Sequence, residues 1–273
     1  MVLHVKSLCS LSLIIACFPI FVHAAEVMPV YPVPVVAHRG FSYAAPENTL
    51  ASTRLAIEAG SDGCECDVYR TADGKIVLMH DENLKRTTGI DGVITAFDYE
   101  TLAKLDAGSW KSSDFKGEKI PTLDEFLAEF KGTDCRPVVE IKMEGIEKPV
   151  VDAIKKAGLL DKTVVIAFSS NVVRKIREHE PNLSVAWLYG KKHEGTPLEL
   201  ADILTAEAKK CNTNILDLNH ELISPELLKI LRNRSFFVWA WTVDDPERMK
   251  TLLRWGIDSI TTNRPDLLRE IMQ

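Results

Sequence analysis

Three short apolar runs in the first 142 residues carry or end in side chains that can do chemistry. His38-Arg39-Gly40 closes the first, Glu65-Cys66-Asp67 lies in the second with His80-Asp81 soon after it, and Glu140-Ile141-Lys142 closes the third. Glu65 and Asp67 stand two residues apart, as do Glu140 and Lys142, so each pair shares one face of a strand. Three carboxylates on interior strands repel one another and are costly to bury unless a cation sits among them. An all-oxygen set suits a hard ion, and the expectation is one divalent cation, Ca²⁺ or Mg²⁺, held by Glu65, Asp67 and Glu140. His38 and His80 suit proton transfer near neutral pH. Arg39 and Lys142 add fixed positive charge, so the cluster fits an anionic substrate, best a phosphate ester. Each signal alone is weak: a strand-end histidine is more often a hydrogen-bonded structural residue, and Glu-x-Asp is common on solvated strand faces. The joint pattern is what points to a site.

The elements that must position these residues follow a regular rhythm. Strand candidates are Val33–His38, Cys64–Tyr69, Pro137–Lys142, Thr163–Phe168, Ser184–Tyr189, Asn214–Asn219, Phe236–Val243 and Ser259–Thr262. Amphipathic stretches follow them at Thr49–Ala59, Leu123–Phe130, Lys148–Ala157, Asn171–His179, Pro197–Lys210, Pro225–Arg232, Pro246–Trp255 and Pro265–Met272. Gly60, Gly158 and Gly256 stand where helices should stop, and Pro225, Pro246 and Pro265 where they should start. The pattern predicts an α/β fold, one (β/α)8 TIM barrel over residues 33–273. One segment breaks the rhythm: the turn Thr71-Ala72-Asp73-Gly74 leads into a second strand-like run, Lys75–His80, then into an insertion at about 82–121. A loop that long is usually functional and should form part of the barrel mouth.

Totals set the boundaries. The 273 residues carry 33 Lys+Arg against 39 Asp+Glu, a formal net charge of -6, which argues against a partner read through a basic surface such as nucleic acid. Lys6 ahead of the apolar run Leu8–Val22 and the exit Val22-His23-Ala24 read as a signal peptide over residues 1–24, so an exported, periplasmic or secreted protein is expected. A retained membrane anchor, or lipid attachment at Cys17 in a lipobox-like order, are the rival readings of that segment. Cys64 and Cys135 begin or precede neighbouring strands, so a disulfide between them stands beside the alternative of buried thiols.

At this point the chain resembles the glycerophosphodiester phosphodiesterases. His38-Arg39-Gly40, Pro46-Glu47-Asn48-Thr49, Glu65-x-Asp67, His80-Asp81, Glu140-x-Lys142 and Trp241-Thr242-Val243-Asp244 stand in that family's order and span about residues 33–270. The resemblance implies metal ligation by Glu65, Asp67 and Glu140, acid–base catalysis by His38 and His80, and phosphate binding by Arg39 and Lys142. It also implies that Glu47 and Asn48 support the site, and that Trp241, with Phe168 and Tyr189, lines the substrate pocket. Asp244, where Asn is also common, is expected to affect the rim and not the core chemistry. The implied activity is hydrolysis of a glycerophosphodiester to glycerol 3-phosphate and an alcohol. Rival readings are a phospholipase D-like head-group hydrolase, with Phe97, Tyr99, Trp110 and Phe115 as a peripheral lipid contact, and a non-catalytic phosphate- or metal-binding barrel. Asp217 and His220 are left between substrate contact and a structural role.

Overall fold

A computed structural model describes residues 33–273; the expected signal peptide and the rival lipid attachment at Cys17 lie outside the described residues. Strands β1 (Val35–Ala37), β2 (Gly63–Arg70), β3 (Ile76–Leu78), β4 (Arg136–Ile141), β5 (Val164–Ala167), β6 (Ser184–Tyr189), β7 (Ile215–Asn219), β8 (Phe237–Trp241) and β9 (Ser259–Thr262) form one sheet. Eight of them pair in parallel in the order β1, β9, β8, β7, β6, β5, β4, β2, and a β1–β2 pairing closes the ring. This is the (β/α)8 barrel. The extra strand, β3, runs antiparallel to the far end of β2, with Arg70 opposite Ile76 and Val68 opposite Leu78.

Helices α1 (Leu50–Glu58), α2 (Lys85–Thr88), α3 (Tyr99–Leu102), α4 (Leu123–Ala128), α5 (Glu147–Ala157), α6 (Ser170–His179), α7 (Pro197–Lys210), α8 (Pro225–Asn233), α9 (Pro246–Arg254) and α10 (Pro265–Met272) complete the chain. Local signals explain their limits. Thr49, Thr122 and Thr196 each accept the backbone N–H three residues on, in a reciprocal capping box that satisfies otherwise orphaned donors. Gly158 ends α5 in the left-handed conformation open to glycine.

The alternation of the strands separates two apolar layers. Val139, Ile141, Val165, Leu216, Leu218 and Val238 point outward and join the helices in the main core. Val36, Val138, Val164, Ile166, Ala186 and Leu188 point inward and fill the barrel. The carboxylates of β2 and β4 stand on this inner face, above the apolar plug.

The insertion carries its own small core, where Val77, Met79, Leu84, Ile94, Leu102 and Ile120 pack with Phe97 and Tyr99. Of the four aromatics named for a peripheral contact, Phe97, Tyr99 and Phe115 are half-buried, the first two against this core, and Trp110 is 41% exposed. Cys64, Cys66, Cys135 and Cys211 are all free thiols, buried as small apolar groups, so no Cys64–Cys135 disulfide forms.

Candidate active site

The C-terminal ends of the strands surround a cavity of about 130 Å³. His38 and Arg39 follow β1, Glu65 lies in β2, His80 follows β3, and Glu140 and Lys142 come from β4 and its end. The opposite wall is Ile166, Phe168, Leu188 and Trp241. Thus the cavity gathers both predicted histidines, the two cations expected to bind phosphate, and two of the three predicted aromatics. Tyr189 is not among its walls; it leans on Trp187 with ring centroids 5.4 Å apart, on the other side of the strand end.

The turn after β1 is built to aim its atoms at β2. Arg39 adopts a left-handed backbone (φ 55), which is unfavourable for a side chain with a Cβ and is found where surroundings enforce it. Its N–H donates to Glu65 Oε2 at 2.7 Å. Gly40 packs so closely on α1 that a Cβ there would lie 2.3 Å from Ser52 Oγ, so the residue after Arg39 must be glycine. Asn48 is also left-handed (φ 55) and grips Asp67 twice: its Nδ2 donates to Asp67 Oδ2 at 2.8 Å, and its Oδ1 accepts the Asp67 N–H at 3.0 Å. This is the supporting place expected of Asn48.

The three carboxylates lie as a cluster, each offering an oxygen within 4.8 Å of the others, and all are buried. Glu65 Oε1 and Asp67 Oδ1 accept no hydrogen bond. Burial, then the charges of Asp67 and Glu140, push the Glu65 carboxyl well above the ordinary range. Burial and Asp67 raise Glu140 to about 7, against the pull of Lys142. Lys142 Nζ reaches Glu140 Oε1 at 2.9 Å and Asp67 Oδ1 at 3.4 Å. Burial works against the Lys142 charge, but the acids around it hold its proton more firmly than usual. Buried, mutually repelling carboxylates with unpartnered oxygens fit a hard divalent cation.

The two histidines are held differently. His38 Nδ1 lies 2.8 Å from Asn263 Oδ1. Asp244 fixes which way that amide points, because a carboxylate accepts only: Asn263 Nδ2 donates to Asp244 Oδ2 at 2.6 Å, leaving Oδ1 toward His38. The proton therefore sits on His38 Nδ1, and Nε2 keeps its lone pair. Burial and then the neighbouring Arg39 lower the His38 pKa to about 4, so the ring is neutral at pH 7. Asp244, expected to matter only at the rim, thus acts on His38 through one intervening amide.

His80 follows β3, which returns to the mouth because the Met79 N–H donates to the Asp67 carbonyl at 3.0 Å. Its Nδ1 lies 2.7 Å from Asp81 Oδ1. From there an alternating chain of charge runs back to the acid cluster. Asp81 accepts from Arg86 at 2.5 Å, Arg86 donates twice to Glu47 at 2.7 and 2.8 Å, Glu47 accepts from Arg39 at 2.9 Å, and Arg39 Nε lies 3.4 Å from Asp67. Although burial opposes it, these hydrogen bonds hold the Glu47 and Asp81 carboxyls down at about 2.

Comparison with known proteins agrees with this geometry. A family model described as the glycerophosphoryl diester phosphodiesterase family matches residues 38–267. The chain belongs to this family. A glycerophosphodiester phosphodiesterase from Caldanaerobacter subterraneus subsp. tengcongensis is 34% identical over 244 residues, covering 88% of this chain and 97% of that protein. One from Bacillus subtilis is 30% identical over 256 residues, with 86% and 85% coverage. Among solved structures, an Oleispira antarctica phosphodiesterase in complex with the product sn-glycerol-3-phosphate superposes with a TM-score of 0.80 at 26% identity, covering 88% of this chain and 96% of that one.

Within this glycerophosphoryl diester phosphodiesterase barrel, two polar residues of the site, Arg86 and Asn263, were not singled out in the sequence, and two more, Asp244 and Asp217, were named without a settled place in it. Arg86 comes from the one-turn α2 of the insertion, where a lone arginine in a polar stretch carries no signal. Asn263 follows β9 and meets His38 across 225 positions. Asp244 was placed at the rim only. Asp217, left undecided, lies on the inner face of β7 and lines the cavity, 1% exposed; burial and then Glu140 push its carboxyl well above the ordinary range. The Asp217-Leu218-Asn219-His220 run contained the right residue, but only the closed barrel separates it from its neighbours: Asn219 caps the following turn by accepting the Glu221 N–H at 2.9 Å.

Proposed function

We propose that this protein hydrolyses glycerophosphodiesters to glycerol 3-phosphate and an alcohol, with His38 as general base and His80 as general acid. The observation that carries the reading is the convergence, on one small cavity, of two histidines in distinct settings, two cations and a buried carboxylate cluster. Arg39 and Lys142 present positive charge to the phosphodiester and hold it against the cluster. Glu65, Asp67 and Glu140 would hold the divalent cation, whose chemistry when bound is Lewis-acid neutralisation of the phosphoryl oxygens.

His38 has the features of the base. It is neutral at pH 7, its Nδ1 proton is committed to Asn263, and its Nε2 can take the proton of an attacking hydroxyl. Attack by water gives glycerol 3-phosphate directly, and attack by the glycerol moiety gives a cyclic phosphodiester that water then opens. His80 has the features of the acid. Asp81 keeps Nδ1 engaged and supplies counter-charge, so Nε2 is the nitrogen that carries a proton to the departing alcohol oxygen. The charged chain through Arg86, Glu47 and Arg39 ties this acid to Asp67, so the two ends of the reaction keep a fixed spacing.

Release of glycerol 3-phosphate from glycerophosphocholine tests the reading, measured with Ca²⁺, with Mg²⁺ and with chelator, beside His38→Ala. The expected result is release that needs the ion and falls by about 10²–10⁴-fold in the variant. Release that survives both chelation and His38→Ala would sink the mechanism. The segment ahead of the barrel supports a site of action outside the cytoplasm, and sequencing the N-terminus of the exported protein tests it: a start at Ala25 is expected, and a lipid-modified Cys17 would replace this with membrane attachment.

A further inference from the structure

The wall of the cavity opposite the phosphate-binding cations is apolar apart from Thr242 and Thr261, and it carries one ionisable side chain. Around the inner face, β5 contributes Ile166 and β6 Leu188, and Leu188 is in register with Asp217 of β7. Asp217 is 1% exposed, and its Oδ1 is buried without a partner. No ion pair and no hydrogen bond reaches its carboxylate among the described residues; only its backbone carbonyl is engaged, accepting from Trp241 Nε1 at 3.0 Å. A leucine would fill such a position, as the neighbouring strand shows, and a buried polar group without a partner weakens the folded protein. The cavity borders this group, so the partner it lacks can arrive with a ligand.

We propose that Asp217 is the specificity anchor for the vicinal hydroxyls of the glycerol half of the substrate. The inference rests on the glycerophosphodiesterase reading above. With the phosphate held by Arg39 and Lys142 on the β1–β4 side, a three-carbon polyol crosses the cavity, and its hydroxyls arrive at the β5–β8 side. There Asp217 is the one group among the lining residues of that side with a free, buried oxygen able to bind them. The volume of about 130 Å³ suits a glycerol phosphate and leaves the alcohol half of the diester toward the open rim. A site built to hydrogen-bond a substrate hydroxyl discriminates strongly against analogues that lack it, because its own polar group then stays unpaired.

Two ligands separate the idea from a general role in the site: sn-glycerol 3-phosphate and ethyl phosphate, which keeps the phosphate and lacks both hydroxyls. Calorimetric binding to the metal-loaded protein should show wild type favouring glycerol 3-phosphate. Asp217→Leu should lower that affinity by about 10–100-fold and leave ethyl phosphate within about twofold, while raising the melting temperature of the free protein. Asp217→Val, smaller than leucine and likewise without an acceptor, should lose the preference in the same way and carries the test if the leucine variant does not fold, while Asp217→Asn, which keeps an acceptor oxygen, should retain most of it. Equal weakening of both ligands, or no change in either, overturns the assignment. Glycerophosphocholine turnover in the same preparations tells the two failures apart. Normal wild-type turnover without a hydroxyl preference removes only the subsite, whereas a wild type that neither turns over the diester nor binds either phosphate removes the functional reading and the subsite with it.

Discussion

The strand ends from β1 to β4 and those from β5 to β8 are built from the same repeating unit, yet they furnish opposite halves of the mouth. On the first side the connections depart from the simple repeat: a left-handed turn at Arg39, a second left-handed residue at Asn48, a hairpin to β3, and an insertion with its own core. Its side chains are charged, several are buried, and some are incompletely satisfied. On the second side short loops lead directly into capped helices, and the wall is Ile166, Phe168, Leu188 and Trp241. Regular units produce a surface for contact, while the irregular ones produce reacting groups. Strain and electrostatic repulsion are concentrated where chemistry needs them, and the rest of the ring supplies the rigidity that holds them in place.

Glu65→Gln strikes the charged half hardest. Activity is expected to fall by about 10³-fold or more, because removing one ligand charge forfeits several kcal/mol of transition-state stabilisation. The ion-free protein should melt higher, since burial and repulsion already disfavour the Glu65 charge, and added Ca²⁺ or Mg²⁺ should raise the melting temperature of wild type but not of this variant. A variant that kept the wild-type response to the ion would break the assignment of the charged half as the ion site. Asp244→Ala tests the support behind that half. Freed from its anchor, the Asn263 amide no longer fixes the His38 tautomer, and kcat should fall by about 10–100-fold with KM little changed. Asp244→Asn can still offer an oxygen to Asn263 Nδ2 and should restore most of the rate; equal losses in both variants would assign Asp244 a purely structural role. The smallest effect belongs to the apolar half. Phe168, 48% exposed and edge-on to Trp241 at 5.4 Å, should on truncation to alanine raise KM by about 3–10-fold and leave kcat near wild type. A large kcat loss there would mean that the two halves are not separable.

The same division explains what could be read before folding. The barrel was legible because apolar runs and helix punctuation repeat at a steady interval, and the strand limits moved only at their ends; β1 shortens to Val35–Ala37 from the expected Val33–His38. The charged cluster was legible because Glu65-x-Asp67 and Glu140-x-Lys142 declare a shared face through spacing alone. What escaped depends on closure of the ring or on tertiary partners. Asp217 is one acid in an apolar strand, and nothing local says that its oxygen is left unpartnered. Arg86 belongs to a segment of short helical turns without periodicity, and the small core against which Phe97 and Tyr99 pack has no repeating spacing to announce it.

The contact between His38 and Asn263 has a consequence for the timing of synthesis. The two residues are 225 positions apart, and Asn263 follows the strand that pairs with β1. A chain still emerging from the ribosome carries every charged group of the β1–β4 side long before it carries the amide that orients His38. At roughly 5–20 residues per second, that gap lasts on the order of ten seconds or more. The site is therefore completed only by the closing βα unit, and a chain cut short before it would hold nearly all of the charged cluster without the amide that fixes the His38 tautomer.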